Sequence, residues 1–193
     1  MKDYICDRDV VLEFLQAILN HPDNIDINKN ELSKQIDYYS NLSEKGMIDY
    51  LSLNKCDIKS LPSNLNQLGK LRGFLKASQS EKDPYDWDEE ASSINFSQNK
   101  ISNVPESISN IETLEILNLD NNLLESLPET IGNLINLKSL SLSNNHLTKI
   151  PDTIGNLKNL KALNLANNQL KEIPDTIGNL KNLKELYLDN NYV

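Results

Sequence analysis

Four prolines, Pro105, Pro128, Pro151 and Pro174, follow one another at a constant interval of 23 residues. A period of that length belongs to neither a single helix nor a single strand; it marks a supersecondary unit copied several times and stacked copy on copy. One such unit cannot bury its apolar side alone, so the copies must share a continuous core. Every other feature of the chain has to be placed relative to that stack.

The units run from Leu114 to Asn136, Leu137 to Asn159 and Leu160 to Asn182. In Leu114-x-x-Leu117-x-Leu119 the apolar residues keep strand spacing, which turns Leu117 and Leu119 inward and Asn118 and Asp120 outward. Asn99, Asn122, Asn145, Asn168 and Asn191 recur where the chain turns in after the strand. A buried amide there can satisfy backbone donors and acceptors, so these five read as a structural ladder. Pro128 and its equivalents have a fixed φ and no amide hydrogen, which suits the start of a helical turn on the far side. Ile131 and Leu134 then close the core from below.

The pattern LxxLxLxxNxL, followed by xx(I/L)PxxIxxL, resembles the leucine-rich repeat family. The resemblance is specifically to the 23-residue IPxxIGNLxNL type of Ras-suppressor-like intracellular scaffolds, plant relatives and many bacterial proteins. It covers Ile48 to Val193. It implies an α/β fold, a right-handed horseshoe solenoid with a parallel β-sheet on its concave face and short helical or 3-10 turns on its convex face.

Two more repeats lie upstream. One is carried by Ala91, Ile94, Phe96, Asn99, Ile101, Val104, Pro105, Ile108 and Ile111. The other is carried by Ile48, Leu51, Leu53, Cys56, Ile58, Leu61, Pro62, Leu65 and Leu68, with Cys56, a small thiol that buries easily, in the asparagine slot. Pro62 and Pro105 stand 43 residues apart, one period plus 20, so an insertion falls between these repeats within residues 71–90. It contains QSEKDPYDWDEE, with six acids, one lysine and the only tryptophan. This is either a solvated loop or an acidic, aromatic contact for a basic partner through Tyr85, Asp86, Trp87 and Asp88. As a calcium loop it lacks the required ligand spacing and turn glycine, and no metal ligand is assigned.

Residues 1–47 read as a separate element, and 48–193 as the repeats. Val11, Phe14, Leu15, Ile18 and Leu19 share one helical stripe, with Asp9 as the expected cap and a stop before His21-Pro22. A second helix is expected from about Glu31 to Lys45, with Leu32, Ile36, Tyr39 and Leu42 on one face. A repeat array needs its exposed end covered, and this pair is placed to be an N-terminal helical cap. KQIDYYSNLSEKGMIDYLSL also loosely resembles the end of a winged-helix domain, which would make the chain a DNA-linked regulator. Nine acids against five Lys and Arg in residues 1–47 oppose that reading, because DNA binding relies on phosphate neutralisation.

The formal net charge of −9 points away from nucleic acid and anionic membranes as partners. The N-terminus has acids where a signal peptide carries basic residues, and no transmembrane span is present in the sequence. Two cysteines make no disulfide framework. The expected compartment is the cytoplasm, the alternative being export without a cleavable signal. No phosphate loop, zinc spacing or catalytic triad appears, His21 and His146 lie in different elements, and neither catalysis nor a cofactor is assigned.

Function is therefore sought on outward strand positions, the face this family generally uses for protein partners. One row is Tyr50, Ser93, Ile116, Ser139, Ala162 and Glu185; the next is Ser52, Asn95, Asn118, Ser141, Asn164 and Tyr187; a third includes Asp120 and Asp189. The expected role is a non-catalytic protein-interaction module holding another protein on this face. Bacterial effectors also use such repeats, so the alternative is an exported virulence factor that engages a host protein. The last repeat is incomplete from Leu183, which predicts an uncovered strand edge and self-association through it.

Overall fold

The structure is a computed structural model that describes residues 7–24, 50–53, 56, 58–63 and 93–193. Six short strands form one parallel sheet in sequence order: β1 (Tyr50–Ser52), β2 (Ser93–Asn95), β3 (Ile116–Asn118), β4 (Ser139–Ser141), β5 (Ala162–Asn164) and β6 (Glu185–Tyr187). Each strand is three residues long and centred on the inward residue of the repeat, as on Leu117 in β3 and Leu140 in β4. The chain then leaves the sheet, crosses the core and returns one strand further on.

Two devices turn the chain after each strand. The first is a residue with positive φ at Gln98, Asn121, Asn144, Asn167 and Asn190, between 54° and 57°. Asparagine tolerates this region far better than branched residues do, which explains the first Asn of each Asn-Asn pair. The second is the Asn ladder. Asn145 Nδ2 donates to the carbonyls of Leu119 and Leu142, both at 3.0 Å, and its Oδ1 accepts from Leu124 N–H at 3.0 Å. Asn99, Asn122, Asn168 and Asn191 repeat the pattern. In the first repeat Cys56 is buried in the asparagine slot, and Asn99 Oδ1 accepts from both Cys56 N–H and Ile58 N–H.

The far side carries 3-10 turns at Glu106–Asn110, Glu129–Asn133, Asp152–Asn156 and Asp175–Asn179, each entered from a proline with φ between −64° and −69°. The proline carbonyl accepts from the isoleucine three residues on, as Pro128 does from Ile131 at 3.0 Å. That i to i+3 closure keeps the turn tight. Gly132 and Gly155 sit where the next repeat comes too close for a side chain, since a Cβ there would overlap the backbone of Thr153 and Thr176 respectively.

The helix α1 (Asp7–Asn20) already includes Asp7, so the cap expected at Asp9 lies inside the helix. Its end before His21 is as expected. Phe14, Leu15 and Ile18 are fully buried in the same cluster as Leu53, Cys56 and Ile58, and the Phe14 and Phe96 rings stand 6.4 Å apart. This helix closes the N-terminal end of the core. The second helix expected over Glu31 to Lys45 lies outside the described residues.

The insertion leaves the stack intact. β1 pairs with β2 in register, Tyr50 opposite Ser93, and Ser60 bridges Asn103 on the other side of the turn. The extra residues between them fall outside the described segments, and so do Tyr85, Asp86, Trp87 and Asp88.

Candidate functional site

Pairing is in register throughout, so outward positions at equal places in the repeat line up in rows across the sheet. The first row is Tyr50, Ser93, Ile116, Ser139, Ala162 and Glu185; the second is Ser52, Asn95, Asn118, Ser141, Asn164 and Tyr187. Tyr50 and Ser52 are placed by backbone register alone. Both rows are as the repeat spacing predicts.

The face is not uniform across its width. Over β4 and β5 the outward residues are small, and Ser139, Ser143 and Ala162 are buried by the backbone around them. On one flank stand Ile116 and Asp120 of the β3 repeat; on the other stand Glu185, Tyr187 and Asp189 of the β6 repeat. With strands about 4.8 Å apart, the flanks are roughly 14 Å from each other. By side-chain size this is a shallow trough with a floor of small residues, Ile116 on one side and the acids Glu185 and Asp189 on the other.

Much of the polar capacity on this face is already used. Asn95, Asn118 and Asn164 each accept, through Oδ1, the N–H two residues on, at 2.9, 2.9 and 3.1 Å. Serine at 141 is too short for this. There the Asp120 carboxylate reaches across from the neighbouring repeat, accepting Ser141 Oγ–H at 2.7 Å and Ser143 N–H at 2.6 Å. Asp120 and Ser141 thus hold each other, a link that spans two repeats and is invisible to a reading of one repeat at a time. The acids less engaged by the fold are Glu185 and Asp189. Tyr187 is exposed, and its hydroxyl lies 3.4 Å from Glu185 Oε2.

The edge where the chain enters each strand carries Glu115, Lys138, Lys161 and Lys184. Lys138 Nζ pairs with Glu115 Oε1 at 3.0 Å. Below it lies a second amide ladder that the sequence reading missed. Asn136, Asn159 and Asn182 donate to the carbonyls of Glu112, Ile135 and Lys158, at 2.7 to 2.8 Å. Its signal was present, an asparagine at the end of every unit, but an exposed asparagine looks like a solvated loop residue unless the preceding repeat is seen beside it.

His146 faces Gln169 of the next repeat, Nδ1 to Nε2 at 3.5 Å. Among the described residues no group of three or more His, Cys, Asp and Glu side chains converges on a point that could hold a metal ion. No described helix is long and apolar enough to cross a membrane.

A ladder of parallel strands backed by asparagine ladders and proline-led 3-10 turns defines a repeat solenoid whose one broad, regular face is the outward side of its sheet. The chain belongs to the leucine-rich repeat family: a family model described as leucine-rich repeat region matches residues 92–193. Among solved structures it is similar to an internalin, inlF, from Listeria monocytogenes, at 30% identity over 75% of this chain and 42% of that one, with a TM-score of 0.54. It is also similar to the plant peptide hormone receptor RGFR1, solved in complex with RGF2, at 31% identity over 74% of this chain and 20% of that one, with a TM-score of 0.57. A TDR receptor gives 30% identity over 74% of this chain and 22% of that one, with a TM-score of 0.59. The chain spans less than half the length of each of these chains. No curated protein matches it significantly. The fold is one typically used as a protein-interaction module.

Proposed function

We propose that the chain is a non-catalytic interaction module that holds a partner protein on the outward face of its sheet, across the trough between the β3 and β6 repeats. The observation that carries this reading is the in-register floor of Ser139, Ser141, Ala162 and Asn164 between two taller flanks. Small floor residues leave the large anchors to the partner, and hot spots are rich in Trp, Tyr and Arg. Glu185 and Asp189, with the Tyr187 ring between them, suit an incoming arginine or lysine. A peptide hormone receptor with this fold, solved with its ligand RGF2, supports the same reading.

The test is affinity capture with cross-linking mass spectrometry on three chains. These are the native chain, the triple variant Asn118→Arg, Ser141→Arg, Asn164→Arg, and a variant lacking residues 81–90. A partner kept by the native chain and lost by the triple variant supports the trough. A partner lost only on deletion of residues 81–90 moves the contact to the acidic segment around Trp87 and overturns the reading.

Two compartments are consistent with this role. A cytoplasmic scaffold is the first. The second is an exported protein acting on a host target, which the similarity to the Listeria internalin favours. Detection in culture supernatant, with a cytoplasmic enzyme as lysis control, separates them.

A further inference from the structure

We propose that the edge where the chain enters β4, β5 and β6 is a second docking surface, one that takes an acidic protein segment carrying a single large apolar side chain. The inference does not rest on what occupies the trough. Of the eight lysines between residues 93 and 193, five stand on this edge: Lys138, Lys158, Lys161, Lys181 and Lys184. They come from three short stretches, residues 133–138, 156–161 and 179–184, that contain no acid. On a chain with a formal net charge of −9, this gathering of cations reverses the overall field locally.

Backbone register fixes the pattern. Lys138 N–H donates to the carbonyl of Glu115 at 2.7 Å, and Lys161 to Lys138 and Lys184 to Lys161, both at 2.8 Å. The row therefore continues the ladder of the sheet, with its members about 4.8 Å apart. Lys158 and Lys181 form a second row, three residues earlier in each repeat. Their ammonium groups are already held in place at the carbonyl ends of the 3-10 turns. Lys158 Nζ donates to the carbonyl of Gly155 at 2.6 Å and lies 3.5 Å from that of Asn179; Lys181 Nζ donates to the carbonyl of Gly178 at 2.8 Å. An ammonium has three N–H groups, so each keeps at least one for a carboxylate. A side chain ordered in advance also loses less entropy when a partner arrives. Lys161 and Lys184 have no ion pair among the described residues. The acids that bound the patch are Glu112, Glu115 and Glu185; Glu115 pairs with Lys138, and Glu185 lies beside the Tyr187 hydroxyl.

Ile135 gives the patch an apolar centre. It occupies the place that Lys158 and Lys181 hold in the next two repeats, and it is 58% exposed although its repeat has neighbours on both sides. Lys158 follows it in the row, and Lys138 comes three residues later. Its backbone is fixed, since its carbonyl accepts from Asn159 Nδ2 at 2.8 Å. A rigid apolar side chain among cations is complementary to an apolar residue flanked by carboxylates. Nucleic acid fits less well. Its affinity comes from phosphate neutralisation, which an acidic chain opposes and to which Ile135 contributes nothing.

The probe is a fluorescent peptide in which glutamates flank a single leucine, titrated against the full chain by anisotropy at two salt concentrations. The native chain should bind it, more weakly at the higher salt. Lys158→Glu with Lys161→Glu should weaken binding about tenfold or more. Lys149→Glu with Lys171→Glu makes the same change in net charge between the buried Asn ladder and the prolines, away from this edge, and should alter binding by less than about twofold. Ile135→Lys installs the residue that the next two repeats carry, so the fold is kept while a cation is added. It should nevertheless weaken the leucine peptide by about fivefold, through loss of partly buried apolar surface, and bind an all-glutamate peptide no worse than the native chain does. Absence of binding to the native chain, equal losses in the two double variants, or tighter binding of the leucine peptide by Ile135→Lys would each overturn the proposal. So would a single-stranded oligonucleotide of the same charge bound as tightly as the peptide. The trough variant Asn118→Arg, Ser141→Arg, Asn164→Arg should not weaken the peptide; if it did, the peptide would lie in the trough and the edge would be the wrong surface. A failure of the edge is thus told apart from a failure of the trough.

Discussion

The sequence PDTIGNLKN occurs twice, at Pro151 to Asn159 and at Pro174 to Asn182, and the two copies live in different surroundings. In the first, Ile154 is fully buried and Gly155 is pressed by the following repeat; in the second, Ile177 is half-buried and nothing comes near Gly178. Local sequence is the same, so the difference is made entirely by what stacks on the C-terminal side. The two ends of the solenoid differ in the same way. At the N-terminal end α1 lays Phe14, Leu15 and Ile18 on the core, while at β6 the last inward leucines meet solvent. In a solenoid stability is close to a sum of unit terms and nearest-neighbour interfaces. A residue's worth is therefore set by whether its repeat has a neighbour on both sides.

The largest effect should come from uncapping the closed end. Phe14→Ala removes a fully buried ring in contact with Phe96 and should cost about 3–5 kcal/mol in urea unfolding. Leu186→Ala, at the open end, should cost no more than half of that, because its side chain is already 39% exposed. Equal costs at the two sites would break the comparison, showing that α1 does not protect the core as its packing indicates.

Next are the asparagines. Asn145→Ala orphans the buried N–H of Leu124 and takes one of two amide donors from the carbonyls of Leu119 and Leu142, which keep Asn122 and Asn168, and about 2–3 kcal/mol is expected. Asn191→Ala removes the same kinds of bond, but the residue is only half-buried and water can replace part of what is lost. Its cost should be about 1 kcal/mol. Thermal melts of the two variants side by side measure the difference directly.

The repeat itself was legible because its evidence is periodic. The proline interval, the leucine spacing and the buried asparagine recur often enough that no single position decides the matter. The rows of the outward face follow from the same period, and register pairing reproduces them from Tyr50 to Glu185. What escaped was of two kinds. The N-terminal helix has no repeat to fix its bounds, so the cap expected at Asp9 falls inside α1. Interactions between neighbouring repeats also escaped, among them Asp120 on Ser141, and Thr130 and Thr153 donating their hydroxyls to the carbonyls of Glu106 and Glu129. A single strand pattern holds no information about which side chain of one repeat reaches the backbone of the next.

The smallest effect is also the cleanest test of the neighbour rule, because it changes one atom in two identical sequences. An alanine at Gly155 puts a Cβ into the backbone and side chain of Thr176, and backbone cannot yield as the tip of a flexible side chain can. Gly155→Ala should therefore cost about 1–3 kcal/mol, as overpacking does elsewhere. At Gly178 the same Cβ meets open space. Neither glycine needs the left-handed region, since neither has a positive φ there. Gly178→Ala should then be neutral within about 0.5 kcal/mol, or slightly stabilising through the lower entropy of the unfolded chain.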